Sequence, residues 1–214
     1  MQRLLLTILL VASLVGGAHW YMREREVPHA VGVLAEAEPT ITPASDTPSW
    51  RDAHGFSYRA LGRFDGRVIV VSRTNYSIGE FARLAPTDLA IVWGPLSDVR
   101  AYSQLEFDQR GSPLAGRFVF PQIRAGTALA QRPVADVRAY LLANLTHVHT
   151  IAADHAIAAR LATIRPGQLV RFSGVLVDVT APSGTRYTSS TTLHDYDCEI
   201  AWIDELVLID RGSQ

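Results

Sequence analysis

The chain opens with an almost uncharged hydrophobic run, Leu4 to Met22, then loses any apolar period between Val27 and Ser57. From Tyr58 onward short apolar sets return, some alternating and some at helical spacing. In that last region "GRVIVVSRTNY" reads as a strand bounded by Gly66, and "QLEFDQ" and "GRFVF" read as two more around a turn at Arg110, Gly111 and Ser112. "PTDLAIVWGP" is a short buried apolar segment, helix or strand by period alone. Pro133 suits the first position of a helix, and Val134, Val137, Leu141 and Leu145 follow at helical spacing. A second helix is expected after Asp154, a good N-cap, with Ile157, Leu161 and Ile164 on one face before Pro166 and Gly167 end it.

In "QLVRFSGVLVDV" the apolar set runs Val170, Phe172 before Gly174 and Val175, Val177, Val179 after it. That change of phase predicts a bulge that bends the strand. "CEIAWIDELVLI" supplies the last strand or strands. The expected fold class is α+β: a small twisted β-barrel of OB or SH3-like kind with about two packed helices.

The Leu4–Met22 run divides the chain into domains. Its 19 residues would span about 28 Å as a helix, close to the hydrocarbon thickness of a bilayer. Arg3 precedes it and "REREV", which sums to zero, follows it, so charge bias keeps the N-terminus in the cytoplasm. Trp20 and Tyr21, followed by Arg23 and Arg25, form an interfacial belt that favours a retained anchor. The competing reading is a signal peptide cleaved after Ala18, with Gly16 and Ala18 as its small residues and a secreted product. The organisation read here is a signal-anchor at 1–26, a Pro-rich, acidic, disordered spacer at 27–57 and a globular periplasmic domain at 58–214. The expected location is the bacterial inner membrane, single-pass, with the C-terminal domain in the periplasm.

Composition adds few constraints: 48% of residues are hydrophobic and the formal net charge is -1. All 20 cationic side chains are arginine, dispersed among acids rather than gathered on one face, which argues against nucleic acid as a partner. The only cysteine, Cys198, excludes a lipoprotein anchor and an intramolecular disulfide.

Two polar clusters could carry chemistry. "NLTHVHTIAADHA" holds His147, His149, Asp154 and His155; on a strand the first two would share a side, as two metal-bound imidazoles do. The H-x-H-x-D-H order of metallo-β-lactamases fails, because four residues separate His149 from Asp154. Asp154 is therefore read as a helix cap and His155 as exposed. In "SSTTLHDYDCEIAW", strand alternation puts Cys198 with Ile200 and Trp202, and Asp197 with Glu199 on the other face, so Cys198 is expected in the core as an inert thiol. There is no G-x-S-x-G and no glycine-rich phosphate loop. No cofactor and no metal are expected.

Together, "PTDLAIVWGPLSD", "HVHTIAAD", "RPGQLVRFSGVLVDV" and "RYTSSTTLHDYDCE" resemble an uncharacterised family of exported, membrane-anchored bacterial proteins, over about residues 64 to 208. The resemblance implies no activity. It implies family-level features at Trp93, Gly94, Ser97 and Asp98, at Asn144, His149 and Asp154, and at Ser189, Ser190, Asp195, Cys198 and Glu199. The chain departs from the family with Ala152 in place of proline and His194 in place of arginine. Candidate binding residues are accordingly Trp93, Ser97, Asp98, His149, Ser189, Ser190, Asp195 and Glu199. The expected function is a non-catalytic binding or assembly module; the alternative is a metal-dependent or other hydrolase around His149, Asp154, His194 and Asp195.

Overall fold

The computed structural model describes residues 26–28, 31–110, 118–195 and 197–209. The expected signal-anchor and the turn at Gly111 and Ser112 lie outside the described residues. Among the described residues no helix is long and apolar enough to cross a membrane.

The architecture is α+β and dominated by one sheet. Ten strands occur among the described residues: β1 (Thr40–Pro43), β2 (Ser49–Arg51), β3 (Ser57–Asn75), β4 (Thr87–Val92), β5 (Leu105–Arg110), β6 (Phe118–Ile123), β7 (Leu145–Ala152), β8 (Gln168–Thr180), β9 (Arg186–Tyr187) and β10 (Glu199–Leu208). Four short helices accompany them: α1 (Glu80–Leu84), α2 (Val99–Tyr102), α3 (Val134–Leu142) and α4 (His155–Leu161). The ambiguous "TDLAIV" is a strand, all six residues buried. Both helices expected from the sequence are present but shorter than read: α3 behind Pro133 ends at Leu142, so Leu145 opens β7, and α4 behind Asp154, whose carboxylate accepts from the Ile157 amide at 2.8 Å, ends at Leu161, short of Ile164.

The main sheet runs β3-β4-β7-β10-β8 and returns to β3, so five strands close into a ring. β7 and β10 pair parallel; the other four ring pairings are antiparallel. Closure depends on β3, which at 19 residues is long enough to pair with β8 along one edge (Ser57 to Val70) and with β4 along the other (Ile69 to Asn75). Register shifts between Ala60 and Gly62 and between Val70 and Ser72 give it the extra twist that curvature needs.

Two findings differ from the expectations. The bulges lie on β3 and, between Ile203 and Glu205, on β10, the partners of Gly174, and not in β8 itself. The β8 alternation never changes phase: Val170, Phe172 and Leu176 face the core inside the ring, whereas Val177 and Val179 belong to a second cluster outside it. The sequence offers apolar residues to both faces of one strand, which reads along the chain as a flip. The outer cluster is roofed by Trp50, Tyr58 and Trp202, whose rings meet at centroid distances of 5.1–5.5 Å.

The second difference is in the stretch 27–57, expected as a disordered spacer. β1 and β2 pair with β3 along the part of its edge that β4 does not reach. Ala35 is buried, and the Leu34 and Ala35 amides donate to Ser97 Oγ at 3.2 and 3.1 Å. An open strand edge is a row of unsatisfied backbone groups, and covering it outweighs the weak local propensity of this segment.

Candidate functional site

β4 and β7 stand side by side with Asp88 opposite His149 and Ala90 opposite His147. Strand alternation sends Leu89, Ile91 and Val148 into the ring core and turns Asp88, His147 and His149 to the outer face, so the two histidines do share a side. Parallel pairing of β7 with β10 sets Glu199 against Val148, which brings Cys198, one residue earlier, alongside His147.

The result is a compact polar cluster. His149 Nδ1 donates to Asp88 Oδ1 at 2.9 Å, and Asp88 is 0% exposed. His147 Nδ1 lies 3.2 Å from Cys198 Sγ, while its Nε2 is 3.7 Å from Asp88 Oδ2. One ligand atom from each of His147, His149 and Cys198 falls within 4.8 Å of the others. Both imidazoles are buried and the cysteine is half-buried. Cys198 shares a side with Ile200 and Trp202 as expected, but that side is the outside of the ring beneath loops, not the core. Burial pushes the Cys198 thiol up to about 12, assisted by the charges of Glu199, Asp88, Asp197 and Asp195.

Two grooves flank the cluster. One, of about 560 Å³, is walled by apolar residues of α3 and β6, among them Ile123, Val137 and Leu141, and reaches His147 and Cys198. The other, of about 680 Å³, lies between the β3–β4 connection and the β8–β10 connection and reaches His149 and Cys198. Phe81 of α1 packs edge-on against His149 at 4.9 Å and stacks on Tyr187 at 4.5 Å, so aromatic rings line its wall. Asp197 stands at the rim of both.

The residues singled out from the sequence divide by role. Ser189, Ser190 and Asp195 build the loop that carries Cys198: Ser189 Oγ accepts from the Ile200 amide at 2.9 Å, the Ser190 amide donates to the Cys198 carbonyl at 3.1 Å, and Ser190 Oγ donates to Asp195 at 2.8 Å. Trp93, Ser97 and Asp98 lie elsewhere, in the connection after β4. There the Trp93 amide donates to the Asn144 carbonyl at 3.1 Å and Ser97 Oγ to the Gly94 carbonyl at 2.8 Å. Asp98 caps α2, and the Arg100 guanidinium holds its carboxyl down at about 2. Gly94 needs its glycine, because at φ +54 an added Cβ would sit 2.4 Å from Asn144 Oδ1.

Glu199 points inside the ring, where it is 0% exposed and accepts a hydrogen bond from Thr146 Oγ1 at 2.5 Å. Burial pushes its carboxyl up to about 8 against the lowering effect of that bond.

The four residues of the hydrolase alternative are engaged separately: His149 with Asp88, Asp154 with the α4 amide, His194 with Glu38 and the Leu142 carbonyl, and Asp195 with Ser190. Sequence reasoning missed Asp88, although a lone carboxylate in the apolar run "TDLAIV" was a signal, and it missed Phe81 and Tyr187, for which the sequence carries none.

No family model matches this chain, and no curated protein or solved structure matches it.

Proposed function

We propose that the chain is a membrane-anchored, periplasmic, non-catalytic binding module built on a small barrel of OB type, and that it belongs to the exported family its four sequence blocks resemble. The observation that carries this reading is the open groove of about 680 Å³ that runs over His149 of β7 between the β3–β4 and β8–β10 connections, on a ring ordered β3-β4-β7-β10-β8. In OB barrels the second and third strands, with the loops after the first strand and before the last, hold oligonucleotides or oligosaccharides. The corresponding parts here are β4, β7 and the connections bearing Phe81 and Tyr187.

The lining favours a saccharide over a nucleic acid. Arg186 is the only permanent cation among the described lining residues, against Glu80 and Asp197, so a polyphosphate backbone would meet net repulsion. Aromatic rings beside the Thr188 hydroxyl suit the apolar faces and hydroxyl edges of sugar rings. Two experiments test the reading. Titrating the purified chain with short cell-wall oligosaccharides should perturb tyrosine fluorescence, and Tyr187→Ala should weaken binding at least tenfold; binding of oligonucleotides instead, or of neither, overturns it. Alkaline phosphatase fused after Trp50 should be active outside the cytoplasm, and an inactive fusion defeats the proposed topology.

A further inference from the structure

We propose that His147, His149 and Cys198 form a binding site for one borderline-to-soft transition metal ion of the zinc class, with Asp88 bracing both imidazoles from behind.

The donor geometry is the first support. In tetrahedral zinc sites with metal–nitrogen bonds near 2.0–2.1 Å and metal–sulfur bonds near 2.3 Å, neighbouring donor atoms lie about 3.3–3.6 Å apart. Here one nitrogen of each imidazole and the Cys198 sulfur already fall within 4.8 Å of one another, so small side-chain rotations bring the three residues onto one ion. Their carriers are β7 and the residue that enters β10, paired strands of a closed ring, which is a rigid platform for such a site.

The second support is the carboxylate behind them. Metal-bound imidazoles hold their other ring nitrogen against a carboxylate or carbonyl, which sets tautomer and orientation. Asp88 hydrogen-bonds the His149 ring and stands at ion-pair distance from the His147 ring. It accepts from His149 Nδ1 at 2.9 Å, leaving Nε2 for the ion, and its second oxygen lies 3.7 Å from His147 Nε2, leaving Nδ1, which already faces Cys198 Sγ at 3.2 Å. The His147 and His149 rings meet nearly perpendicular at 4.8 Å. Asp88 is wholly buried, and a buried carboxylate beside two imidazoles is an electrostatic environment that favours a cation.

The donor set selects the ion. Two imidazoles and a thiolate suit Zn²⁺ or copper and discriminate against Ca²⁺ and Mg²⁺, which require oxygen ligands. Three protein ligands leave one coordination position, and both grooves reach the cluster. Binding M²⁺ forms one metal–sulfur and two metal–nitrogen bonds and releases the thiol proton to solvent, with no change of oxidation state.

This site is independent of the saccharide reading, and titrating saccharide in the presence of a chelator keeps the two separable. The test uses the untagged purified chain and Co²⁺ as a spectroscopic probe. One equivalent should produce a thiolate-to-cobalt charge-transfer band with visible bands of tetrahedral intensity, and Zn²⁺ should abolish both. Cys198→Ser, close to isosteric, should remove the charge-transfer band while keeping the wild-type circular dichroism. His147→Ala and His149→Ala should each weaken Co²⁺ binding at least 100-fold, and Asp88→Asn should weaken it about 10- to 100-fold. If substitution at Asp88 or a histidine impairs folding, the wild-type readout decides: Zn²⁺ must raise its melting temperature and must not raise that of Cys198→Ser. Absence of the cobalt spectrum at one equivalent, or its persistence when both histidines are replaced, overturns the proposal.

Discussion

Replacing Gly174 by alanine tests the closure of the ring where β8 passes β10. A Cβ at this position would lie 2.4 Å from the Trp202 carbonyl oxygen, 3.2 Å from its carbonyl carbon and 3.3 Å from the Ile203 Cα. Ordinary contact begins at 3.4 Å, so about 1 Å must open between two backbones. Neither strand retreats easily, because Gly174 pairs with Phe64 on one side and Ile203 on the other. Overpacking of this kind costs about 1–3 kcal/mol, and a backbone clash belongs at the upper end. Loss of glycine's freedom in the unfolded chain offsets about 0.4–1 kcal/mol. The expected net loss is about 2 kcal/mol. With a urea slope of about 2 kcal/mol/M, the unfolding midpoint should fall by about 1 M, read from tryptophan fluorescence. An unchanged or raised midpoint would refute the close crossing and the five-strand closure with it.

Three further perturbations have defined outcomes. Asp154→Ala removes the 2.8 Å cap on the Ile157 amide and should cost about 1 kcal/mol in urea unfolding while the far-ultraviolet circular dichroism keeps its native shape. Phe64→Ala empties a position that is 0% exposed and packs on Phe172 at a centroid distance of 4.7 Å; the expected loss is about 3–5 kcal/mol, and one below 1 kcal/mol would deny that the ring interior is the core. For Asp98, whose carboxyl is lowered from 3.8 to about 2, the unfolded chain takes up the proton first as pH falls. Its contribution is complete above pH 4 and lost between about 4 and 2, so stability should fall less steeply over that window in Asp98→Asn than in the wild type.

Local chemistry made several elements legible in the sequence. Asp154 announced α4 because a cap is decided within three residues, and Pro133 announced α3 for the same reason. The apolar run of "GRVIVVSRTNY" disclosed the C-terminal half of β3, although the strand continues through Gly66 back to Ser57, and strand geometry alone placed His147 and His149 on one side. The α+β class follows from those elements together.

The tertiary structure decided what depends on distant partners. That β3 extends to 19 residues and pairs along both edges, that β8 is covered on both faces, and that β1 and β2 order part of an apparent spacer follow from which strands meet. The candidate site is of this kind throughout. Asp88, His149 and Cys198 are about fifty or more positions apart, and each has a sound local reading of its own: a stray acid in a strand, a strand histidine, a small core thiol. Only the antiparallel register of β4 on β7 and the parallel register of β7 on β10 place them together. Periodicity and capping are short-range and are written along the chain, whereas strand pairing is selected by the burial of a whole core, and with it the convergence of these side chains.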